Sequence, residues 1–109
     1  MPRVSKSTRR MQVRSDLINH LKQNKMTTAY WYDLVEDYMK FWDLKEELQT
    51  SIRTKGAMIW VENGNQKFYK KNDAVVELPK ISKRMGEILD KLDIAWRVEN
   101  EGKDEGDDV

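Results

Sequence analysis

Residues 31–56, WYDLVEDYMKFWDLKEELQTSIRTKG, decide the fold. Trp31, Leu34, Tyr38, Phe41, Lys45, Leu48 and Ile52 recur at alternating steps of three and four, a heptad seam broken only by Lys45. Val35 and Trp42 widen that stripe on one side. Gly56 then supplies a stop just past the last turn, because glycine tolerates the left-handed backbone that ends a helix. The pattern predicts one long helix from about Thr28 to Lys55, roughly 40 Å at 1.5 Å per residue, with Thr27 or Thr28 as its cap.

Next comes MIWVENGNQKFYK, residues 58–70. Two runs with β-branched and aromatic residues flank Asn63-Gly64, the strongest short hairpin signal, since both central turn residues need positive φ. A turn centred there pairs Ile59 with Phe68 and Val61 with Gln66 on one face. Met58 with Tyr69 and Trp60 with Lys67 fall on the other. A two-stranded hairpin is marginal in water, so it needs support. Beyond it, Ala74, Leu78, Ile81, Met85, Ile88 and Leu92 form a second heptad seam, capped by Asn72 or Asp73. Pro79 interrupts this seam and predicts either a kink or a helix that begins near Leu78. Ile94 and Trp96 are expected to finish the core.

The ends differ from the middle. The 109-residue chain carries 20 Lys+Arg and 19 Asp+Glu, nearly neutral in sum. Yet residues 1–26 hold Arg3, Lys6, Arg9, Arg10, Arg14, Lys22 and Lys25 against Asp16 alone. Residues 99–109 hold six carboxylates against Lys103. The reading is a flexible basic arm over 1–14 and a helical oligomerisation and core domain over 15–97 with its hairpin at about 58–70. A disordered acidic tail over 98–109 completes it. A short first helix begins at Ser15-Asp16, with Leu17, Ile18 and Leu21 on one side. The fold class is therefore mainly α: an antiparallel long-helix hairpin, a short β-hairpin between its helices and a short N-terminal helix. The long-helix stripe, with Trp31, Leu34, Val35, Tyr38, Phe41, Trp42, Leu48 and Ile52, is too wide for one partner helix to cover, which predicts a homo-oligomer; the alternative is a three-helix monomer in which the short first helix covers the surplus.

Composition excludes much chemistry. With no cysteine there is no disulfide framework, no thiolate metal site and no Cys nucleophile. The glycines form no phosphate-binding loop, and no serine sits in a nucleophile motif. His20 is alone and reads as a surface or cap residue. Asp33, Glu36 and Asp37 suit Mg²⁺ in principle, as a metal-dependent nuclease would need, but read as the solvated face of the long helix. No run is apolar enough to span a membrane. The expectation is thus no enzyme, no metal and no cofactor. Lys6, Arg9, Arg10, Arg14, Lys22 and Lys25 instead suit phosphate contact with salt-sensitive affinity. Lys67, Lys70, Lys71, Lys80, Lys83 and Arg84 form a second basic set.

This order of features resembles the phage terminase small subunits of the P27 type. It runs from Tyr30-Trp31-Tyr32 through Trp42-Asp43-Leu44-Lys45-Glu46-Glu47-Leu48 to Thr54-Lys55-Gly56, then the Asn-Gly hairpin and Lys71-Asn72-Asp73-Ala74. The amphipathic helix closing at Ile88-Leu89-Asp90-Lys91-Leu92-Asp93-Ile94 completes it. Two departures stand out: Asp73 follows Asn72 where the family usually has proline, and Asp93-Ile94-Ala95-Trp96 replaces its usual Gly-Leu-Thr-Pro ending. The resemblance implies a ring-forming, non-enzymatic adaptor in the host cytoplasm. Such an adaptor binds double-stranded viral DNA and presents it to the large terminase subunit, which holds the ATPase and nuclease. The rival reading from the residues is a helical protein–protein adaptor or transcription-regulator-like protein with no packaging role.

Overall fold

A computed structural model describes residues 4–93. The element order is α1 (Lys6–Gln23), α2 (Ala29–Lys55), β1 (Met58–Asn63), β2 (Gln66–Lys71) and α3 (Asp73–Leu92). The fold is mainly helical, with the antiparallel hairpin between α2 and α3 as the sequence predicts. The acidic tail, Ile94 and Trp96 lie outside the described residues.

The first helix departs from expectation. It begins at Lys6 rather than Ser15, so residues 6–14 are helical where the sequence reading places a flexible arm. The reason is a cap further upstream. Ser5 sits in extended backbone and its Oγ accepts from the Thr8 backbone N–H at 3.1 Å, satisfying a donor that the first turn otherwise leaves orphaned.

The chain divides into two compact units. One takes residues 4–39 and 86–93 of those described, the other 40–85. In the first unit the buried apolar side chains are Leu17 and Leu21 of α1, Val35 and Met39 of α2, and Ile88 and Leu92 of α3. The expected seam of α2 is not its buried line. Trp31, Leu34 and Tyr38 are half-buried, whereas Val35 and Met39 are 0% exposed. Desolvation at Tyr38 raises its phenol pKa above the usual 10.0 and keeps it neutral.

In the second unit Trp42, Ala74 and Met85 are buried, while Phe41, Lys45, Leu48 and Ile52 remain half-buried. The fully enclosed line of α2 is thus Val35–Met39–Trp42, one residue round from the heptad seam. Leu78 and Ile81 of α3 are half-buried, and Met85 is enclosed. Pro79 lies inside a continuous α3 that starts at Asp73, not Leu78. Proline here removes the N–H that Val75 O would otherwise accept, and its cost of about 3 kcal/mol in a helix interior is borne by the rest of the helix.

Asn72, 4% exposed, is the buried polar residue that joins this unit together. Its Nδ2 donates to Gly56 O at 3.0 Å and Ser51 Oγ at 3.2 Å, and its Oδ1 accepts from Ala74 N at 3.0 Å. Its own backbone N–H donates to Ala57 O at 2.8 Å. The side chain therefore caps α3 and binds the end of α2, while the backbone closes the base of the hairpin. Gly56, at φ +83, takes the left-handed conformation that ends α2 and turns its carbonyl to this partner.

The hairpin register is two residues away from the predicted one. Gly64 (φ +61) and Asn65 form the turn, and Asn65 has no positive φ, so glycine holds the first central position as a II′ turn requires. Val61 then pairs with Phe68, and Trp60 with Tyr69. The indole and phenol rings meet edge to face with centroids 4.9 Å apart. An Asn63-Gly64 turn would set Trp60 opposite Lys67 instead. Cross-strand aromatic and aromatic–aliphatic pairs contribute roughly 0.2–1 kcal/mol each and favour the observed register. Because the shift is two residues, each side chain keeps its predicted face.

Asn72→Ala is expected to lower unfolding free energy by about 2–3 kcal/mol, from a lost cap and buried acceptors left unpaired. Urea denaturation checks this. Asn72→Asp, which retains the capping oxygen but not the amide donors, is expected to fall between the two.

Candidate nucleic-acid interface

The basic residues of α1 share one rod. Lys6, Arg10 and Arg14 are four apart and continue along the helix the line that Leu17 and Leu21 bury at its other end. Arg9 stands beside them, exposed, and Arg10 is half-buried. The first turn of α1 holds no acidic residue. Cations at a helix N-terminus oppose the macrodipole, at a cost of about 0.3–1 kcal/mol each when exposed.

Arg14 is engaged within the protein. Its Nε donates to Glu36 Oε1 at 2.9 Å, and Nη2 lies 2.9 Å from the same oxygen. Both side chains are about half exposed, so the pair contributes at most about 1 kcal/mol. It nonetheless orients the guanidinium and draws Glu36 out of the acidic set with Asp33 and Asp37. Among the described residues no three His, Asp or Glu side chains come together as a metal site.

Lys22 and Lys25 stand at the far end, where the cap is geometric. Lys25 N–H donates to Lys22 O at 3.3 Å and Met26 N–H to Leu21 O at 2.8 Å, the paired bonds of a Schellman motif. That motif puts its outermost residue in left-handed backbone, and here it is Lys25 at φ +58. Asn24 adds Nδ2 to His20 O at 2.8 Å. His20 itself donates from Nε2 to Leu92 O at 2.7 Å, satisfying one of the carbonyls that the end of α3 leaves open. His20 is thus a structural cap, joining α1 to α3 within their unit.

A shallow depression runs along another side of α1, lined by Met11, Arg14, Ser15, Ile18, Asn19 and Lys22. Met11 is 70% exposed. The sequence singled out Arg14 and Lys22 here but missed Ser15 and Asn19, because reading Ser15 as a cap removed it from the helix surface. Met39, likewise missed, was hidden beside the bulkier Tyr38 and Phe41; its spacing from Val35 and Trp42 was the available signal. Among the predicted core residues, Val35 and Trp42 are enclosed, and Trp31, Leu34, Tyr38, Phe41, Leu48 and Ile52 are half-buried.

Lys25→Gly is expected to raise stability by about 1 kcal/mol, since glycine takes left-handed backbone without the Cβ clash. The shift in the urea midpoint measures it; an unchanged or lower midpoint would contradict the strain assigned to this turn.

No helix among the described residues is long and apolar enough to cross a membrane. Comparison with curated proteins and with solved structures gives no match for this chain. A comparison with protein families matches residues 12–97, most of the chain and nearly all of its described elements, to the family described as phage terminase, small subunit. By that match, the chain belongs to the phage terminase small-subunit family.

Proposed function

We propose that this protein is a non-enzymatic DNA-packaging adaptor of a tailed bacteriophage, acting in the host cytoplasm. In this reading it binds double-stranded viral DNA through α1 and presents it to the large terminase subunit, as the P27-type small subunits that its sequence resembles do. The supporting observation is the clustering of Lys6, Arg9 and Arg10 on the first two turns of α1 with no carboxylate in the first turn. Lys6 opposes the dipole at the first helical position, a cost that a phosphate would offset, and Arg9 and Arg10 stand within two turns of it on the same rod. Arg14, Lys22 and Lys25 extend the basic surface, with Arg14 exchanging Glu36 for a phosphate.

The second part of the reading is self-association, with a ring as its closed form. Its support is the half-buried seam of α2: Trp31, Leu34, Tyr38, Phe41, Leu48 and Ile52 keep heptad spacing but none is fully enclosed among the described residues. A neighbouring copy would cover them.

Two experiments test this. Binding of a 20-bp duplex, titrated against salt, is expected to weaken steeply; in Lys6→Ala/Arg9→Ala/Arg10→Ala the log–log slope is expected to fall by about 2.7, at roughly 0.9 per phosphate contact. An unchanged slope removes α1 from the interface. Separately, Leu34→Glu/Phe41→Glu is expected to reduce the native mass measured by light scattering to that of one subunit while helix content persists. Wild-type protein that is already monomeric at tens of micromolar would reject self-association.

A further inference from the structure

One face of the hairpin is accounted for by neither part of that reading. Directly paired residues share a face, so Met58 with Lys71, Trp60 with Tyr69, and Glu62 with Lys67 all project to the same side. Every one of them is exposed, Trp60 to 48% and Tyr69 to 64%. The opposite face carries Ile59 and Val61, which are half-buried. An indole and a phenol on one side of the sheet are thus exposed among the described residues.

The arrangement is ordered. Trp60 Nε1 donates to Glu62 at 3.0 Å, which fixes the indole and occupies the carboxylate. Tyr69 meets that indole edge to face at 66°. Along β2, Lys67 and Lys71 stand two residues to either side of Tyr69 on the same face, roughly 13 Å apart at 3.4 Å per residue.

We propose that this face binds single-stranded nucleic acid, bases stacking on Trp60 and Tyr69 and phosphates meeting Lys67 and Lys71. Aromatic rings interleaved with lysines on an open sheet combine the two attractions that hold an unpaired strand: stacking on any base and neutralisation of its backbone. Trp60, Tyr69 and Met58 would also suit a protein partner, but the two lysines that flank Tyr69 are of a type depleted from such interfaces and favour a polyanion. A duplex fits less well. Its base faces are stacked inside and offer nothing to an aromatic ring. The proposal stands independently of duplex binding by α1.

The test uses the full chain, a fluorescein-labelled 20-nucleotide oligo-dT and a 20-bp duplex, followed by anisotropy at low salt. Trp60→Ala/Tyr69→Ala is expected to weaken oligo-dT binding by about ten-fold or more, given the stacking contribution of each base, and to leave duplex affinity within two-fold. Lys67→Ala/Lys71→Ala, which removes no ring, is expected to lower the salt slope for oligo-dT by about 1.4, at roughly 0.7 per contact; it keeps the proposal testable should the aromatic variant misfold. Wild-type protein that ignores oligo-dT, or variants that bind it as wild type does, would overturn the inference. So would a fall in native mass on replacing the aromatics, which would make this face a contact between copies. Loss of duplex binding alone in the α1 variants leaves it untouched.

Discussion

Three segments of the chain meet at one buried amide. The Asn72 side chain binds the carbonyl of Gly56 where α2 stops, the hydroxyl of Ser51 one turn earlier, and the backbone N–H of Ala74 where α3 starts. A hairpin inserted between two helices has to leave and return at nearly one point. Its ladder brings Met58 beside Lys71 at the base but does not fix how the ends of α2 and α3 join there, and little apolar area anchors it, since β2 is exposed throughout. The amide does, through bonds made in a site almost closed to water, where a missing partner costs about 1–3 kcal/mol. Gly56 belongs to the same device, because its left-handed φ presents the carbonyl that Asn72 needs.

The other unit is held by a comparable device with different chemistry. There the end of α3 is closed by a side chain from α1, with His20 Nε2 donating to Leu92 O. Leu21 and Leu92, both 0% exposed, lie within one residue of those partners in sequence or are the partners themselves. Apolar burial and the polar cap therefore reinforce each other at one place. The Arg14–Glu36 pair adds an exposed contact between α1 and α2. It stabilises little, and for that reason it is exchangeable for another anion at small cost.

Much of this was legible from residue spacing. Both long helices, the glycine stop, the Asn72 cap and the hairpin follow from patterns several residues long. What periodicity does not settle is which of two adjacent lines on a helix faces inward. On α2 the seam through Leu34, Tyr38 and Phe41 and the line through Val35, Met39 and Trp42 have the same three-and-four spacing and differ by one residue. Only the neighbouring elements choose between them, and they enclose the second. The hairpin register escaped for a related reason. Asn-Gly turn preference is local, whereas the Trp60–Tyr69 and Val61–Phe68 pairs cross between strands and carry the decision. The start of α1 was masked by composition: a run of Ser, Thr and Arg reads as an unstructured arm until Ser5 is recognised as a cap.

That last misreading bears on the proposed interface. A flexible arm loses conformational entropy when it settles on a polyanion, at roughly 1–2 kcal/mol per residue fixed. Helical residues 6–14 have met that cost in folding, with Ser5 satisfying the turn and Leu17 and Leu21 burying the far end of the same rod. Lys6 stands at the first helical position, where a cation opposes the helix dipole and no carboxylate offsets it within that turn. A rod already ordered in conformation binds an anion at a smaller entropic cost than a disordered arm of the same composition, because binding does not have to order the chain. On the proposed reading, the placement of these cations on a capped helix, rather than their number, is what would suit α1 to a phosphate backbone.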